Sequence, residues 1–185
     1  MMHPAMLDIA ATALVVVDVQ EAFRKAIPDF ALVASRAAMA VRGFYILGVP
    51  IIVTEQYPAG LGPTAEEIRL SLPDEFQTLE KTSFSSCGAS GFISTLEEHS
   101  IKQVVLSGLE THVCVSQTAH ELVERGFQAH VLVDCVCSRF EYDKQAGLAK
   151  MAASGVIMSS IEMAFFEMMR DSRHGSFKDI QNLIR

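Results

Sequence analysis

Residues 14–17 read Leu-Val-Val-Val, and Asp18 follows directly after them. The apolar run is short and rich in β-branched residues, so it predicts a fully buried β-strand rather than a helix. Residues 49–54 read Val-Pro-Ile-Ile-Val-Thr and predict a second strand of the same kind. The pattern of residues 29–48, which ends at Gly48, predicts a helix between the two strands. This part of the chain is therefore expected to form a strand–helix–strand unit.

The same alternation continues to the end of the chain. Further strands are predicted over residues 103–106, 129–133 and 156–159, and Gly108 is expected to break the first of these. Helices are predicted over residues 64–71, up to His99, and over 113–125, 143–154, 160–170 and 176–184. Repeated units of this length predict an α/β fold, a three-layer α/β/α, Rossmann-like arrangement with a mostly parallel central sheet. No linker or internal repeat is visible, so residues 1–185 are expected to form a single domain.

Composition restricts the classes of function. The 185 residues carry a net charge of −7, and half of them are hydrophobic. An acidic globular chain is a poor partner for nucleic acid or an anionic membrane, since both attract clustered lysine and arginine. The apolar run over residues 9–17 is too short to span a bilayer, and residues 1–8 lack the basic residues of a signal peptide. With four cysteines and no disulfide pattern, the chain is expected to be cytoplasmic.

Polar residues follow three of the predicted strands where each strand ends. Asp18 follows the first strand, Glu55-Gln56-Tyr57 follows the second, and residues 107–114 lead from the third strand to Cys114. Because ligands of open parallel sheets bind beyond the carboxyl ends of the strands, these residues are the first candidates for a site.

Each candidate also has a structural explanation. Asp18 is costly to bury without a partner, but aspartate is also a common helix cap. Cys114 lies near a helix start, which favours the reactive thiolate, yet free cysteines are often simply packed as small hydrophobes. Lys81 is expected to be solvated unless it points inward, where its charge would stabilise both Asp18 and a Cys114 thiolate.

Other candidates are weaker. Cys135 and Cys137 have no second pair and no histidine at ligand spacing, so no metal site is expected there. His112 could serve as a base in a Cys–His pair with Cys114. Adjacent helix positions diverge by about 100°, however, so a residue two positions earlier need not face the thiol.

Three motifs taken in order resemble the isochorismatase-like cysteine hydrolase superfamily. They are residues 17–23 (Val-Asp-Val-Gln-Glu-Ala-Phe), residues 81–85 (Lys-Thr-Ser-Phe-Ser) and residues 108–115 (Gly-Leu-Glu-Thr-His-Val-Cys-Val). Residues 54–58, 60–64 and 177–181 look like those of the isochorismatase domain-containing subgroup. The resemblance covers nearly the whole chain.

The resemblance implies a catalytic triad of Asp18, Lys81 and Cys114. Asp18 would be the general base, Lys81 would hold the charges, and Cys114 would attack an electrophilic carbon. The resemblance also implies a cis peptide between Leu109 and Glu110, with the backbone amides of Glu110 and Cys114 forming an oxyanion hole. A donor of this kind is worth about 3 kcal/mol of barrier in well-studied hydrolases.

Two departures refine the expected chemistry. Nicotinamidases of this superfamily bind a metal through an Asp-x-His motif after the second strand, whereas this chain has Glu55-Gln56-Tyr57. True isochorismatases cleave a vinyl ether and can lack the cysteine that this chain has at position 114. We therefore expect a hydrolase of a small-molecule amide or related C–N bond that acts through a thioester, with no metal and no cofactor.

A non-catalytic binding protein that keeps the fold is the alternative, since a fold alone does not establish activity. A nucleotide-binding domain is disfavoured, because no glycine-rich phosphate loop follows any strand. Relatives of this kind form oligomers, so a homo-oligomer, a dimer or tetramer, is expected. The predicted walls of the substrate pocket are Phe23, Gln56, Tyr57, Phe84 and His112.

Overall fold

Six strands form one parallel sheet in a computed structural model that describes His3, residues 5–74 and residues 76–185. The order across the sheet is β3-β2-β1-β4-β5-β6, and every neighbouring pair is parallel. The strands are β1 (Thr12–Val17), β2 (Ile51–Gln56), β3 (Leu79–Lys81), β4 (Gln103–Leu109), β5 (Gln128–Cys137) and β6 (Ile157–Ser159). The short edge strand β3 was predicted only as an extended run, because it has three residues and two of them are charged.

Helices follow most of the strands, as the alternation predicts. The longer ones are α1 (Phe30–Ile46), α4 (Phe92–Glu98), α5 (Ser116–Glu124), α6 (Glu141–Ala153), α7 (Ile161–Met169) and α8 (Phe177–Leu183). The single-turn helices are α2 (Pro58–Leu61) and α3 (Glu66–Arg69), and 3-10 turns cover Ile9–Ala11, Glu21–Lys25 and Ser86–Gly88. Among the described residues, no helix is long and apolar enough to cross a membrane.

Two apolar layers pack against the two faces of the sheet, and β1 contributes to both. Every residue of β1 is buried, and successive side chains of a strand point to opposite faces. Leu14 and Val16 pack with α1, α7 and α8, while Val15 and Val17 pack with α4, α5 and α6. The prediction of a three-layer α/β/α fold with a parallel sheet is therefore confirmed.

The expectation that Gly108 breaks the third predicted strand was wrong. Strand β4 continues to Leu109, and Gly108 lies inside it with φ of +124°. A Cβ atom at this position would lie 2.0 Å from the backbone oxygen of Val17. Glycine is required here because the two backbones approach closely. In the sequence, such a glycine cannot be distinguished from one that ends a strand.

The predicted strand over residues 129–133 is shorter than the observed strand β5, which extends to Cys137. The polar residue Asp134 interrupts the apolar pattern, but the strand continues through it to Cys137. The Asp134 carboxylate has local partners, since it pairs with Arg36 and accepts the backbone N–H of Ile161 at the start of α7. A polar residue with such partners costs little within a strand.

Helix α7 contributes mostly to the core. Its buried residues are Ile161, Ala164, Phe165, Met168 and Met169. Met163 and Phe166 of the same helix are 51% and 39% exposed. The apolar composition of this segment is thus explained mainly by packing.

Candidate active site

The candidate residues meet at the carboxyl edge of the sheet because of its register. Val17 is paired with Thr54 of β2 on one side and with Gly108 of β4 on the other. Gln56 at the end of β2 is paired with Lys81 at the end of β3. Each strand therefore ends next to its neighbour, so the residues that follow β1, β2 and β4 lie close together.

Asp18 and Lys81 form a buried ion pair at this edge. The Nζ atom of Lys81 lies 2.6 Å from Oδ2 of Asp18, and the side chains are 0% and 1% exposed. Asp18 itself has φ of +51°, so the chain turns sharply at the end of β1. It does not cap the following 3-10 turn, whose N-cap residue is Gln20. Lys81 points inward, the orientation in which a functional role was expected.

Lys81 is surrounded by oxygen acceptors. Besides Asp18, its ammonium donates to Oε1 of Gln56 at 2.7 Å and to the carbonyl oxygens of Ser83 and Phe84 at 3.1 and 3.0 Å. An ammonium has only three hydrogens, so this set leaves it fully occupied. The Lys81 Nζ atom is thereby held in a fixed position beside Asp18.

The other carboxylate oxygen of Asp18, Oδ1, accepts a hydrogen bond from the first of three buried hydroxyl-bearing residues. Thr54 donates its hydroxyl to Oδ1 of Asp18 at 2.8 Å, and Ser86 Oγ lies 3.4 Å from the same hydroxyl. The backbone N–H of Ser86 donates to Oγ1 of Thr118 at 2.8 Å. Thr118 in turn donates to the carbonyl oxygen of Cys114 at 2.7 Å. These contacts, the hydroxyl chain, connect Asp18 with the backbone of Cys114.

Cys114 lies in a single π-helical turn, Thr111–Val115, that leads into α5. The thiol is enclosed, with 8% of the residue exposed. Burial above all, together with the charge of Asp18 and a hydrogen bond to it, raises the pKa of Cys114 to about 12, against the opposing charge of Lys81. The expectation that the helix start favours the thiolate was wrong, because desolvation of the charged form dominates.

The peptide bond between Leu109 and Glu110 is cis, at the position that the family resemblance implied. The carbonyl oxygen of Glu110 accepts the N–H groups of Val113 and Val115 at 3.0 and 3.3 Å. Its carboxylate oxygen Oε1 accepts both the backbone N–H and the Nε–H of Arg139, at 2.9 and 3.1 Å. Glu110 therefore fastens the turn that carries Cys114 to the segment after β5.

The family model of the isochorismatase domain matches residues 12–163, a range that contains Asp18, Lys81 and Cys114. The chain belongs to the isochorismatase family.

Three relatives illustrate the similarity. Isochorismatase domain-containing protein 1 of Salmo salar is 39% identical over 95% of this chain, which spans 62% of that protein's length. The structure of the MAR1 ribonuclease from Caenorhabditis elegans is 36% identical and covers 97% of this chain and 92% of its own, with a TM-score of 0.92. The YcaC protein of Escherichia coli, described as an octameric hydrolase of unknown specificity, has a TM-score of 0.84 at 21% identity, covering 100% of this chain and 97% of its own.

The predicted pocket walls of this isochorismatase domain lie in different environments. Gln56 is occupied by hydrogen bonds, since it accepts from Lys81 and donates to the carbonyl oxygen of Thr82 at 2.8 Å. Tyr57 and Phe84 are 58% and 55% exposed, so their rings are available to a ligand. Their roles in substrate binding stay predictions.

The side chains of Phe23 and His112, unlike those of Tyr57 and Phe84, already contact other residues of the protein. Phe23 packs against the apolar layer that contains α1. The Nδ1 atom of His112 lies 3.0 Å from Oγ of Ser138, and its Nε2 atom lies 3.9 Å from Asp143. His112 therefore contacts the segment after β5. This agrees with the expectation that a residue two positions before Cys114 need not face the thiol.

Several residues of the site were missed at the sequence level. The hydroxyl chain (Thr54, Ser86 and Thr118) carries no motif that distinguishes it from ordinary polar residues, and it joins residues of three separate segments. The pairing of Glu110 with Arg139 was missed for the same reason. A detectable signal was the position of Thr54, which ends an apolar strand beside Asp18 in the register of a parallel sheet.

Glu55 lies where nicotinamidases have their metal-binding motif, and its carboxylate already has partners. Its Oε1 accepts the backbone N–H and the hydroxyl of Thr64 at 2.7 and 2.6 Å, and its Oε2 accepts the hydroxyl of Thr78 at 3.2 Å. Within the described part of the chain, no cluster of three or more histidine, cysteine, aspartate or glutamate side chains has an arrangement suited to a metal.

Proposed function

We propose that this chain is a metal-independent cysteine hydrolase that cleaves a small-molecule amide or related C–N bond through a covalent thioester at Cys114. The observation that carries the proposal is the buried Lys81–Asp18 pair next to the enclosed Cys114 thiol. A buried charge pair is costly to assemble, so its position beside a potential nucleophile favours a catalytic role.

The raised pKa of Cys114 determines how such a reaction would begin. At neutral pH the thiol keeps its proton, so the nucleophile must be activated as it attacks. Asp18 would take the thiol proton while the sulfur–carbon bond forms, acting as the general base. Lys81 would keep its charge throughout, because its acceptors hold it in place.

The oxygen of the attacked carbonyl would then carry negative charge. In the proposed site, the backbone amides of Glu110 and Cys114 donate to this oxygen. The C–N bond breaks as the nitrogen takes the proton from Asp18, and ammonia or an amine leaves. Water then loses a proton to Asp18 and attacks the thioester carbon. The carbon–sulfur bond breaks, the carboxylic acid leaves, and the sulfur of Cys114 takes the proton back from Asp18.

The proposal is tested by a panel of small primary amides with the wild type and Cys114→Ala. We expect Cys114→Ala to lower turnover by about 10³-fold or more while urea unfolding stays close to that of the wild type. Rapid quenching followed by mass spectrometry should find an acyl group on the peptide that contains Cys114. Turnover that survives in Cys114→Ala would contradict the proposal.

A ribonuclease activity has one specific observation in its favour, the similarity to the MAR1 ribonuclease of Caenorhabditis elegans. The net charge of −7 is unfavourable for binding a polyanion, since contacts with phosphates require basic side chains. Incubation of the purified protein with labelled single-stranded RNA distinguishes the two activities. Cleavage that is lost in both Cys114→Ala and Asp18→Asn would assign the site to RNA instead of small amides.

We also propose that the chain assembles into a homo-oligomer in the cytoplasm and that the partner of the site is a small molecule. The octameric YcaC protein, whose fold matches, supports an assembly but does not specify the number of subunits. Light scattering at several protein concentrations would measure it.

A further inference from the structure

Gln20 has a fully buried side-chain amide that the proposed reaction leaves unused. The residue is 0% exposed, and it follows Asp18 by two positions, where the chain leaves β1. Its Oε1 accepts the backbone N–H of Gln56 at 2.8 Å, and its Nε2 donates to the carbonyl oxygens of Gln56 and Gly62 at 3.1 and 2.7 Å. Because an amide nitrogen carries two hydrogens, both donors of Gln20 are in use.

These contacts extend the hydrogen bonding of β2 beyond the end of β1. Val17 is the last residue of β1 in register with β2, and its partner Thr54 comes two residues before Gln56. The Gln20 side chain therefore bonds the N–H and C=O groups of Gln56 where the backbone of β1 has already turned away. Backbone groups that are shielded from water require partners of this kind, and here one side chain supplies them. Gln20 thus fixes the backbone of Gln56.

The side chain of Gln56 in turn holds Lys81. Its Oε1 accepts a hydrogen bond from the Lys81 ammonium at 2.7 Å, and its Nε2 donates to the carbonyl oxygen of Thr82 at 2.8 Å. Both polar atoms of this side chain are thus bonded to the segment that carries Lys81. A shift of the Gln56 backbone would therefore disturb the two contacts together.

Lys81 depends on such contacts because its own strand is short. Strand β3 has three residues and lies at the edge of the sheet. Two of the acceptors of the ammonium, the carbonyl oxygens of Ser83 and Phe84, belong to the chain that directly follows Lys81 and move with it. The other two, Asp18 and Gln56, tie the ammonium to the ends of β1 and β2. A long lysine side chain is costly to order, so the position of its charge depends on both of these contacts.

We infer that Gln20 is a positioning residue that acts through Gln56 to keep the Lys81 ammonium beside Asp18. This inference rests on the proposed cysteine hydrolase activity and adds to it a residue that acts on the site through another side chain. The alternative is that Gln20 only holds the loop at Gly62 and supports the fold. The two roles are separable, because only the first makes the charge at the site depend on Gln20.

Gln20→Met removes the amide and keeps the length of the side chain. Because the charge beside Asp18 is then less well placed, we expect kcat for the fastest primary amide of the panel to fall about tenfold, with KM changed less than about threefold. Alkylation of Cys114 by iodoacetamide at pH 8 should also slow by about threefold, since the charge of Lys81 favours the thiolate. Steady-state kinetics and mass spectrometry of the Cys114 peptide measure the two effects.

Gln103→Met is the matched control. Gln103 is 8% exposed and also bonds backbone groups through its amide, since Oε1 accepts the N–H of Asp8 at 2.6 Å and Nε2 donates to the carbonyl oxygen of Met6 at 3.0 Å. It begins β4 and so lies at the end of the sheet opposite to the site. Both methionine variants should lose stability in urea, but Gln103→Met should keep the wild-type kcat and alkylation rate. Gln20→Asn, which shortens the side chain by one methylene group, should show the same kinetic change and replaces Gln20→Met if that variant folds poorly.

The double variant Gln20→Met/Gln56→Met tests the route through Gln56. Gln56→Met removes the side chain that contacts Lys81, so the further change at Gln20 should lower kcat by less than about twofold. Losses of kcat that multiply would show that Gln20 does not act through Gln56.

The outcomes separate the inference from the function on which it rests. If the Gln20 variants and Gln103→Met have equal kcat and equal alkylation rates, Gln20 has a purely structural role and the inference alone is overturned. Turnover that persists in Cys114→Ala would overturn the cysteine mechanism. The alkylation rates, which require no substrate, would then still decide whether Gln20 positions the charge of Lys81.

Discussion

Lys81 donates to Asp18 across 2.6 Å in a part of the protein where neither side chain is more than 1% exposed. Removing one member of such a pair leaves the other charge buried and uncompensated, and this typically costs about 3–5 kcal/mol. We expect Lys81→Met to lower the free energy of unfolding by an amount of this order and to abolish turnover. Urea unfolding and steady-state kinetics measure the two effects.

The double variant Asp18→Asn/Lys81→Met tests whether the pair acts as a unit. Its loss of stability should be clearly smaller than the sum of the two single losses, because each single variant already leaves its partner unpaired. The exposed pair of Arg173 and Asp171 is the control, and Arg173→Met should leave the unfolding curve unchanged. Additive losses at Asp18 and Lys81 would contradict the coupling.

Thr54 holds the second oxygen of Asp18 and is expected to affect catalysis. Thr54→Val removes the hydroxyl, and Asp18 then loses one of the contacts that fix its orientation. We expect kcat to fall about tenfold, with KM changed much less, and Thr54→Ser to restore most of the activity.

Thr12→Val is the matched control for this change. Thr12 is as buried as Thr54 and donates its hydroxyl at 2.6 Å to the carbonyl oxygen of Asp8, but it lies at the opposite end of β1. Both variants should lose about 1 kcal/mol of stability, while only Thr54→Val lowers kcat. Equal kinetics for the two valine variants would assign Thr54 a role in packing alone.

Asp18→Asn is expected to separate thiol reactivity from turnover. The negative charge of Asp18 is one of the causes that raise the pKa of Cys114, while Lys81 lowers it. Without the aspartate charge the pKa of the thiol should fall, so that alkylation of Cys114 by iodoacetamide at pH 8 becomes faster. Turnover should nevertheless be lost, because no base remains to accept and return the proton. Mass spectrometry of the Cys114 peptide measures the alkylation, and a slower reaction than in the wild type would contradict this account.

The sequence was sufficient to predict the layers and the edge of the sheet where the site lies. The hydrophobic pattern of a strand is local to its own residues. In β1 the uninterrupted apolar run indicates that both faces of the strand are buried. Asp18 and Cys114 could be assigned to one edge because parallel strands place their carboxyl ends together. The sequence could not predict that Lys81 points inward, because an edge strand of three residues does not show which of its sides is enclosed. A role for Lys81 could therefore be stated only on the condition that it does so.

What could not be predicted depends on contacts between distant segments. The helix start near Cys114 suggested a lowered thiol pKa, but the depth of burial, which only the packed structure shows, reverses the sign. The hydroxyl chain joins residues separated by more than thirty positions, so no local pattern reveals it. Gly108 shows the same limit, because a close backbone approach and a strand break both favour glycine.

Gly108→Ala is expected to be strongly destabilising. The added methyl group would lie 2.0 Å from the backbone oxygen of Val17, and neither strand can move without disturbing the centre of the sheet. Gly155→Ala is the control, since Gly155 also has a positive φ but no atom lies within 4 Å of its added Cβ. We expect about 1–2 kcal/mol of loss at Gly155 from the backbone alone and a clearly larger loss at Gly108, both measured by urea unfolding. Similar losses at the two sites would show that the sheet relaxes around the methyl group.

His130 is expected to weaken the fold in mild acid. It is fully buried in β5, its Nε2 atom lies 3.1 Å from Oε1 of Gln128, and burial lowers its pKa to about 4 from an ordinary value of 6.5. Between these two values the unfolded chain binds a proton at this residue that the folded chain does not. The stabilisation is therefore complete above pH 6.5 and is lost as the pH falls towards 4, by an amount on the order of 3 kcal/mol.

His130→Gln should remove this dependence, because glutamine can keep a hydrogen bond with Gln128 but does not titrate. Urea unfolding between pH 7 and pH 4 should show a shallower loss of stability than in the wild type, whereas the exposed His99→Gln should leave the slope unchanged. Glu21 does not obscure the comparison: its pairing with Arg24 lowers its pKa from 4.5 to about 2, so its stabilisation begins to be lost as the pH falls towards 4.5, but this loss is the same in His130→Gln and the wild type. Equal slopes for His130→Gln and the wild type would show that His130 is protonated within the fold as easily as in the unfolded chain, which contradicts its burial as the controlling factor.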